Sequence, residues 1–78
     1  SVLTNTVTKW TAILVPYAVI AAGLPASDVA ALLAVLGTPA MSRYSAAIGA
    51  AAGNAVKGAY EKGIQYVSSI SFRLVLLN

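Results

Sequence analysis

Seventy-eight residues carry five basic and two acidic side chains, so 9% of the chain is charged and 59% is apolar, with a mean hydropathy of +0.82. That balance excludes intrinsic disorder, which needs low hydrophobicity and high charge, and disfavours a self-supporting soluble globule, whose core is marginal at this length even under a well-charged surface. The net charge of +3 is spread over Lys9, Arg43, Lys57, Lys62 and Arg73, and with no basic run there is no nucleic-acid face.

In chain order, residues 10–27 form the longest uncharged run. As one helix it would be about 27 Å long, slightly short of a ~30 Å hydrocarbon core, and so reads as a marginal membrane helix. Leu3, Val7, Trp10, Leu14, Tyr17 and Ala21 recur at alternating steps of four and three, a helical period. Pro16 removes a backbone hydrogen bond within it and is expected to kink it. Gly23-Leu24-Pro25 reads as its stop, because glycine takes the left-handed cap conformation and proline cannot continue a helix. Ser27 is the expected N-cap of a short second helix over 27–36, with Asp28 in its first turn at the positive end of the helix dipole. Val29, Leu32, Leu33 and Leu36 form its apolar face, opposite Ala30, Ala31 and Ala34. Gly37-Thr38-Pro39 ends it, at a length far too short to cross a bilayer.

A break over 37–45 follows, and Ser45 is placed to cap a long Ala-rich helix from about 46 to 77. Its segment 46–67 is amphipathic: Asn54, Lys57, Glu61 and Gln65 share one face, and Ile48, Ala52, Val56, Ala59 and Val67 the other. The stretch from Ile64 to Leu77 turns predominantly apolar but is too short to span alone. The expected architecture is therefore all-α, a helical hairpin-like fragment. Residues 1–24 are its membrane-associated helix, 25–45 its short helix and turns, and 46–78 its long helix. The sequence begins at Ser1 and its one methionine is Met41, so it is expected to come from a processed or longer chain, and no signal-peptide layout precedes the apolar run.

Chemistry is nearly absent. Without cysteine or histidine there is no disulfide, zinc site, nucleophilic thiol or imidazole acid–base group. Asp28 and Glu61 lie far apart in sequence, so a paired-carboxylate mechanism is not expected. No catalytic, cofactor-binding or metal-binding residue can be named, no cofactor is implied, and the chain is not expected to be an enzyme. Gly49 and Gly53 form a GxxxG pattern, read as tight helix packing rather than specific dimerisation. Lys57 and Glu61 are read as a solvated i, i+4 pair rather than a proton relay. Trp10, beside Lys9 at the edge of the apolar run, is the best candidate for an aromatic at a membrane interface; Tyr17, Tyr44, Tyr60 and Tyr66 are the others. Arg73 is read as a snorkelling residue or the mark of an altered end.

The order of segments carries a resemblance. Residues 2–9 (Val-Leu-Thr-Asn-Thr-Val-Thr-Lys) lead to Val15-Pro16, then to Ala22-Gly23-Leu24-Pro25-Ala26-Ser27. The short Val-x-x-Leu-Leu helix and Ala-x-Gly-Asn-Ala-Val-Lys-x-Ala-Tyr at 51–60 follow. Over roughly residues 2–68 this resembles the C-terminal part of fungal major facilitator superfamily efflux pumps, the group that includes trichothecene efflux and siderophore transporters. The resemblance implies a parent of about fourteen membrane helices, in which this stretch joins the penultimate helix to the last. It implies a plasma-membrane protein that exports drugs, toxins or siderophores coupled to protons, with the lipid bilayer and the parent's remaining helices as partners. The fragment itself would transport nothing, and no functional residue of the family maps onto it. Ser68–Asn78 departs from the pattern, which would continue as a full apolar helix. Two rival readings are a standalone membrane-active basic Ala/Gly-rich peptide of the bacteriocin kind and a soluble helical subunit buried in a partner.

Overall fold

A computed structural model describes residues 2–77, with side chains through residue 70. The described residues form three α-helices and no strand: α1 (Val2–Ala21), α2 (Val29–Val35) and α3 (Ala46–Leu77), joined through 3₁₀ turns at Ala26–Asp28 and Pro39–Arg43. The fold is all-α, as the periodicity predicts. The expectation for Arg73 concerns a side chain outside those described, and Asn78 lies outside the described residues.

Local chemistry sets each boundary. Gly23 has φ +110°; its N–H donates to Ile20 O at 3.0 Å, and the Leu24 N–H donates to Val19 O at 2.9 Å. This pair of bonds is a Schellman cap, and the two residues that commonly pack together at such caps, Leu24 and Val19, both belong to the core. At the end of α2, Leu36 has φ −58° and ψ 131°, Gly37 has φ +77°, and the Thr38 N–H donates to Val35 O at 3.0 Å. Those values define a type II turn, whose third position needs a positive φ. Ser45 caps α3 as expected: its Oγ accepts from the Ile48 N–H at 3.3 Å.

The cap expected at Ser27 is not made. Ser27 lies inside the 3₁₀ turn, Asp28 directly precedes α2, and Asp28 makes no side-chain cap bond. The reason is the 3₁₀ turn: the Asp28 N–H donates to Pro25 O at 2.9 Å, and the Val29 N–H, a donor that a Ser27 cap would engage, donates to Ala26 O, so a backbone turn begins the helix in place of a hydroxyl.

The expectation of a marginal span in α1 is also corrected. Pro16 does not interrupt the helix, which continues to Ala21. The Gly23 cap, however, leaves only residues 10–21 of the uncharged run helical, about 18 Å. Among the described residues no helix is long and apolar enough to cross a membrane.

α1 and α3 run antiparallel along one another. Leu3 and Val7 meet Gly63, and Leu14 meets Gly58, so the pairing runs in opposite directions along the two helices. α2 folds back against the end of this pair. Val15, Val19, Leu24, Leu32, Ala52 and Ala55 form the core, with Val29, Leu33 and Leu36 partly buried against it. Ala30, Ala31 and Ala34 are exposed, so α2 presents its predicted apolar face. In α1 the buried side turns along the helix. Val7, Trp10 and Leu14 are half-buried, but Tyr17 and Ala21 are exposed, while Val15 and Val19 are fully covered. Val15 follows Leu14 by about 100° around the axis, the side on which α2 and Leu24 close.

Candidate functional site

Three surfaces of the hairpin could carry function. The first is the seam between α1 and α3. Ala52, Ala55, Ala59 and Gly63 are buried along one side of α3, and small residues at such spacing let helix backbones approach closely. A Cβ at Gly63 would lie 2.9 Å from both Leu3 Cδ1 and Val7 Cγ2, closer than real Cβ atoms pack. The sequence motif expected to do this, Gly49 and Gly53, does not: a Cβ at either would meet nothing within 4 Å. The repeated small-xxx-small spacing Ala55, Ala59, Gly63 was the signal that identifies the seam.

Gly49 and Gly53 instead open onto the second surface. This is an apolar groove of about 500 Å³ between the helices, where Leu36, Gly37 and Met41 face Val7, Val56 and Tyr60. No ionisable group except the Tyr60 phenol lines it. The polar face of α3 lies elsewhere: Asn54, Lys57, Glu61 and Gln65 are all exposed, as a solvated pair at Lys57 and Glu61 requires. Among the described residues the buried set contains no polar or charged side chain, and no group of three potential metal ligands comes together.

The third surface is polar and aromatic. Asn5, Thr6, Lys9, Trp10 and Tyr66 line a cleft of about 370 Å³. Lys62 reaches over from α3, and its Nζ sits 5.4 Å from the Trp10 ring centroid, within the range of a cation–π contact. The Thr6 hydroxyl is committed as a donor to Val2 O at 2.8 Å. Lys9 and Trp10 were singled out by sequence. Lys62 and Tyr66 join them only because α3 returns antiparallel to α1.

Comparison with known proteins adds one relative. The chain is similar to "MFS-type transporter prx5" of Penicillium rubens, with 46% of residues identical over 79 aligned positions. The alignment covers 99% of this chain and 14% of that transporter, so the chain spans only a small part of its relative's length. No family model matches the chain, and no solved structure matches it.

Proposed function

We propose that this chain is a segment of a major facilitator superfamily transporter that exports small organic molecules of the drug, toxin or siderophore class from the cell. The observation that carries the reading is the likeness to an MFS-type transporter, which runs along 99% of the chain at 46% identity. In this reading the three helices lie between membrane spans supplied by the rest of the protein. The segment binds no cofactor, is not an enzyme and performs no transport step itself. Its partners are the bilayer and the neighbouring helices of the carrier. The small-residue seam supports the reading, since close backbone approach is the packing favoured between helices in lipid. So does the apolar groove, which no ionisable carboxylate or amine lines.

The test is the reading frame around the segment. It is expected to continue, uninterrupted, into a series of apolar stretches of about 20 residues each. A short frame with its own start and stop, encoding little else, would overturn the proposal. Disruption of the long frame is then expected to raise intracellular accumulation of a fluorescent drug, and unchanged accumulation across drug, toxin and siderophore probes would remove the export assignment.

A further inference from the structure

The basic-aromatic cleft sits on a helix face of unusual character. Val2, Thr6, Lys9, Ile13, Tyr17 and Ile20 follow one another at steps of four, three, four, four and three, so they share one side of α1. Four of them are large apolar side chains left in the open: Val2 is 51% exposed, Ile13 49%, Tyr17 81% and Ile20 47%. Partway along this strip lies the cleft: Lys9 and Trp10 line it, and the Lys62 ammonium sits over the Trp10 ring. Asn5 and Tyr66 add an amide and a phenol that can donate hydrogen bonds. Neither Asp28 nor Glu61, the two acidic residues of the sequence, is among the lining residues.

We propose that this face holds one anionic phospholipid, its phosphate between Lys9 and Lys62 at Trp10 and its acyl chain along Ile13, Tyr17 and Ile20. The charge favours an anion, because Lys9 lines the cleft, Lys62 overhangs its tryptophan, and no carboxylate is among the lining residues. The apolar strip identifies that anion as a lipid. It runs from the cations for about 16 Å, eleven helical residues from Lys9 to Ile20, and a water-soluble phosphate has nothing to place there. Trp10 stands between the two regions, where its apolar ring and indole N–H suit the headgroup level. The inference rests on the membrane reading above and deepens it by naming the lipid and its site.

Trp10 is the one tryptophan in the sequence, so its emission reports this site alone. The whole chain would be titrated with vesicles of phosphatidylcholine, and of phosphatidylcholine with 30% phosphatidylglycerol, while the Trp10 blue shift is followed. Anionic vesicles are expected to bind about thirty-fold more tightly through these two lysines, at about fivefold per cation near a charged surface. K9Q/K62Q is expected to abolish most of that preference, whereas R43Q/K57Q, on other faces, is expected to change it less than threefold. I13N/I20N is expected to weaken binding to both vesicle types alike. Equal binding to the two compositions overturns the proposal, and so does an equal loss in the two charge variants, which marks diffuse attraction. Inorganic phosphate without vesicles is expected to leave Trp10 emission unchanged; a saturating shift would assign the cleft to a soluble anion and overturn the lipid assignment. Far-UV circular dichroism confirms that each variant keeps its helices. A flanking frame without apolar stretches would sink the carrier reading and leave these titrations standing, so the two failures are separable.

Discussion

At Gly63 the two long helices come so close that one added methyl group collides with Leu3 and Val7 at 2.9 Å. Leu3 can yield, because the atom concerned is the tip of a flexible, partly exposed side chain. Val7 is β-branched and stiff at χ1, so it resists. Gly63→Ala gains about 1 kcal/mol of helix propensity and loses about 1–3 kcal/mol to overpacking. A net destabilisation of about 1 kcal/mol is expected. Gly53→Ala meets nothing and is expected to stabilise by about 0.5–1 kcal/mol. Thermal unfolding of both variants, followed by far-UV circular dichroism under one condition, checks the pair; shifts of the same sign would contradict the packing described. Gly49 and Gly53 cannot be told from the true seam by spacing, because GxxxG and Ala-xxx-Ala-xxx-Gly share it. Which of them faces the partner depends on how α3 is rotated. Trp10 was legible through its neighbour Lys9, but its cation–π partner Lys62 was not, since that contact exists only across the hairpin.

Among elements, the connections test how much local chemistry decides. Gly23 and Gly37 both have positive φ, yet they differ. A φ of +77° lies near the left-handed region that side chains occupy at modest cost, whereas +110° lies outside it. Gly37→Ala is therefore expected to cost about 1 kcal/mol and Gly23→Ala about 2 kcal/mol or more. The second variant should also loosen the Leu24 N–H to Val19 O hydrogen bond, seen as faster amide exchange at Leu24. Ser45→Ala removes one long cap bond of 3.3 Å, so its cost belongs at the lower end of the usual range, about 0.5 kcal/mol. A melt of that variant indistinguishable from the parent would show that the backbone bond from Gly49 N–H to Ser45 O, at 2.9 Å, is sufficient. These stops were readable because glycine, proline and serine act within a few residues of themselves. Ser27 fails as a cap for a local reason too: in the 3₁₀ turn Ala26 O accepts the Val29 N–H that a capping hydroxyl would engage.

Across the whole molecule, Leu32 joins the short helix to the long pair. It is fully buried and is the largest such side chain, so Leu32→Ala is expected to cost about 2–5 kcal/mol. Ile64→Ala, at a position 57% exposed, should change stability by less than about 0.5 kcal/mol. Denaturant titration of the two variants makes the comparison, and similar costs would mean that α2 does not close on the hairpin as described. The molecule is elongated, 51 × 21 × 19 Å, and a body so thin cannot cover all its apolar side chains. Val2, Ile13, Ile20, Tyr60 and Ile64 stay exposed. That is the structural form of the compositional excess.

The helical class, the order of three helices and most of their ends are legible in the residues alone. So is the split of α3 into a polar face at Asn54, Lys57, Glu61 and Gln65 and an apolar one at Ile48, Ala52, Val56 and Ala59. Each of these follows from a residue's own conformational preference or from spacing within a single helix. Three outcomes become visible only in the folded hairpin: Val15 and Val19 are covered while Tyr17 is left open, Ala55, Ala59 and Gly63 form the seam, and Lys62 and Tyr66 join Lys9 and Trp10 at one cleft. Those outcomes depend on the rotation and direction of one helix against another. Burial energy summed over the assembled hairpin sets both, and no short stretch of sequence contains that sum.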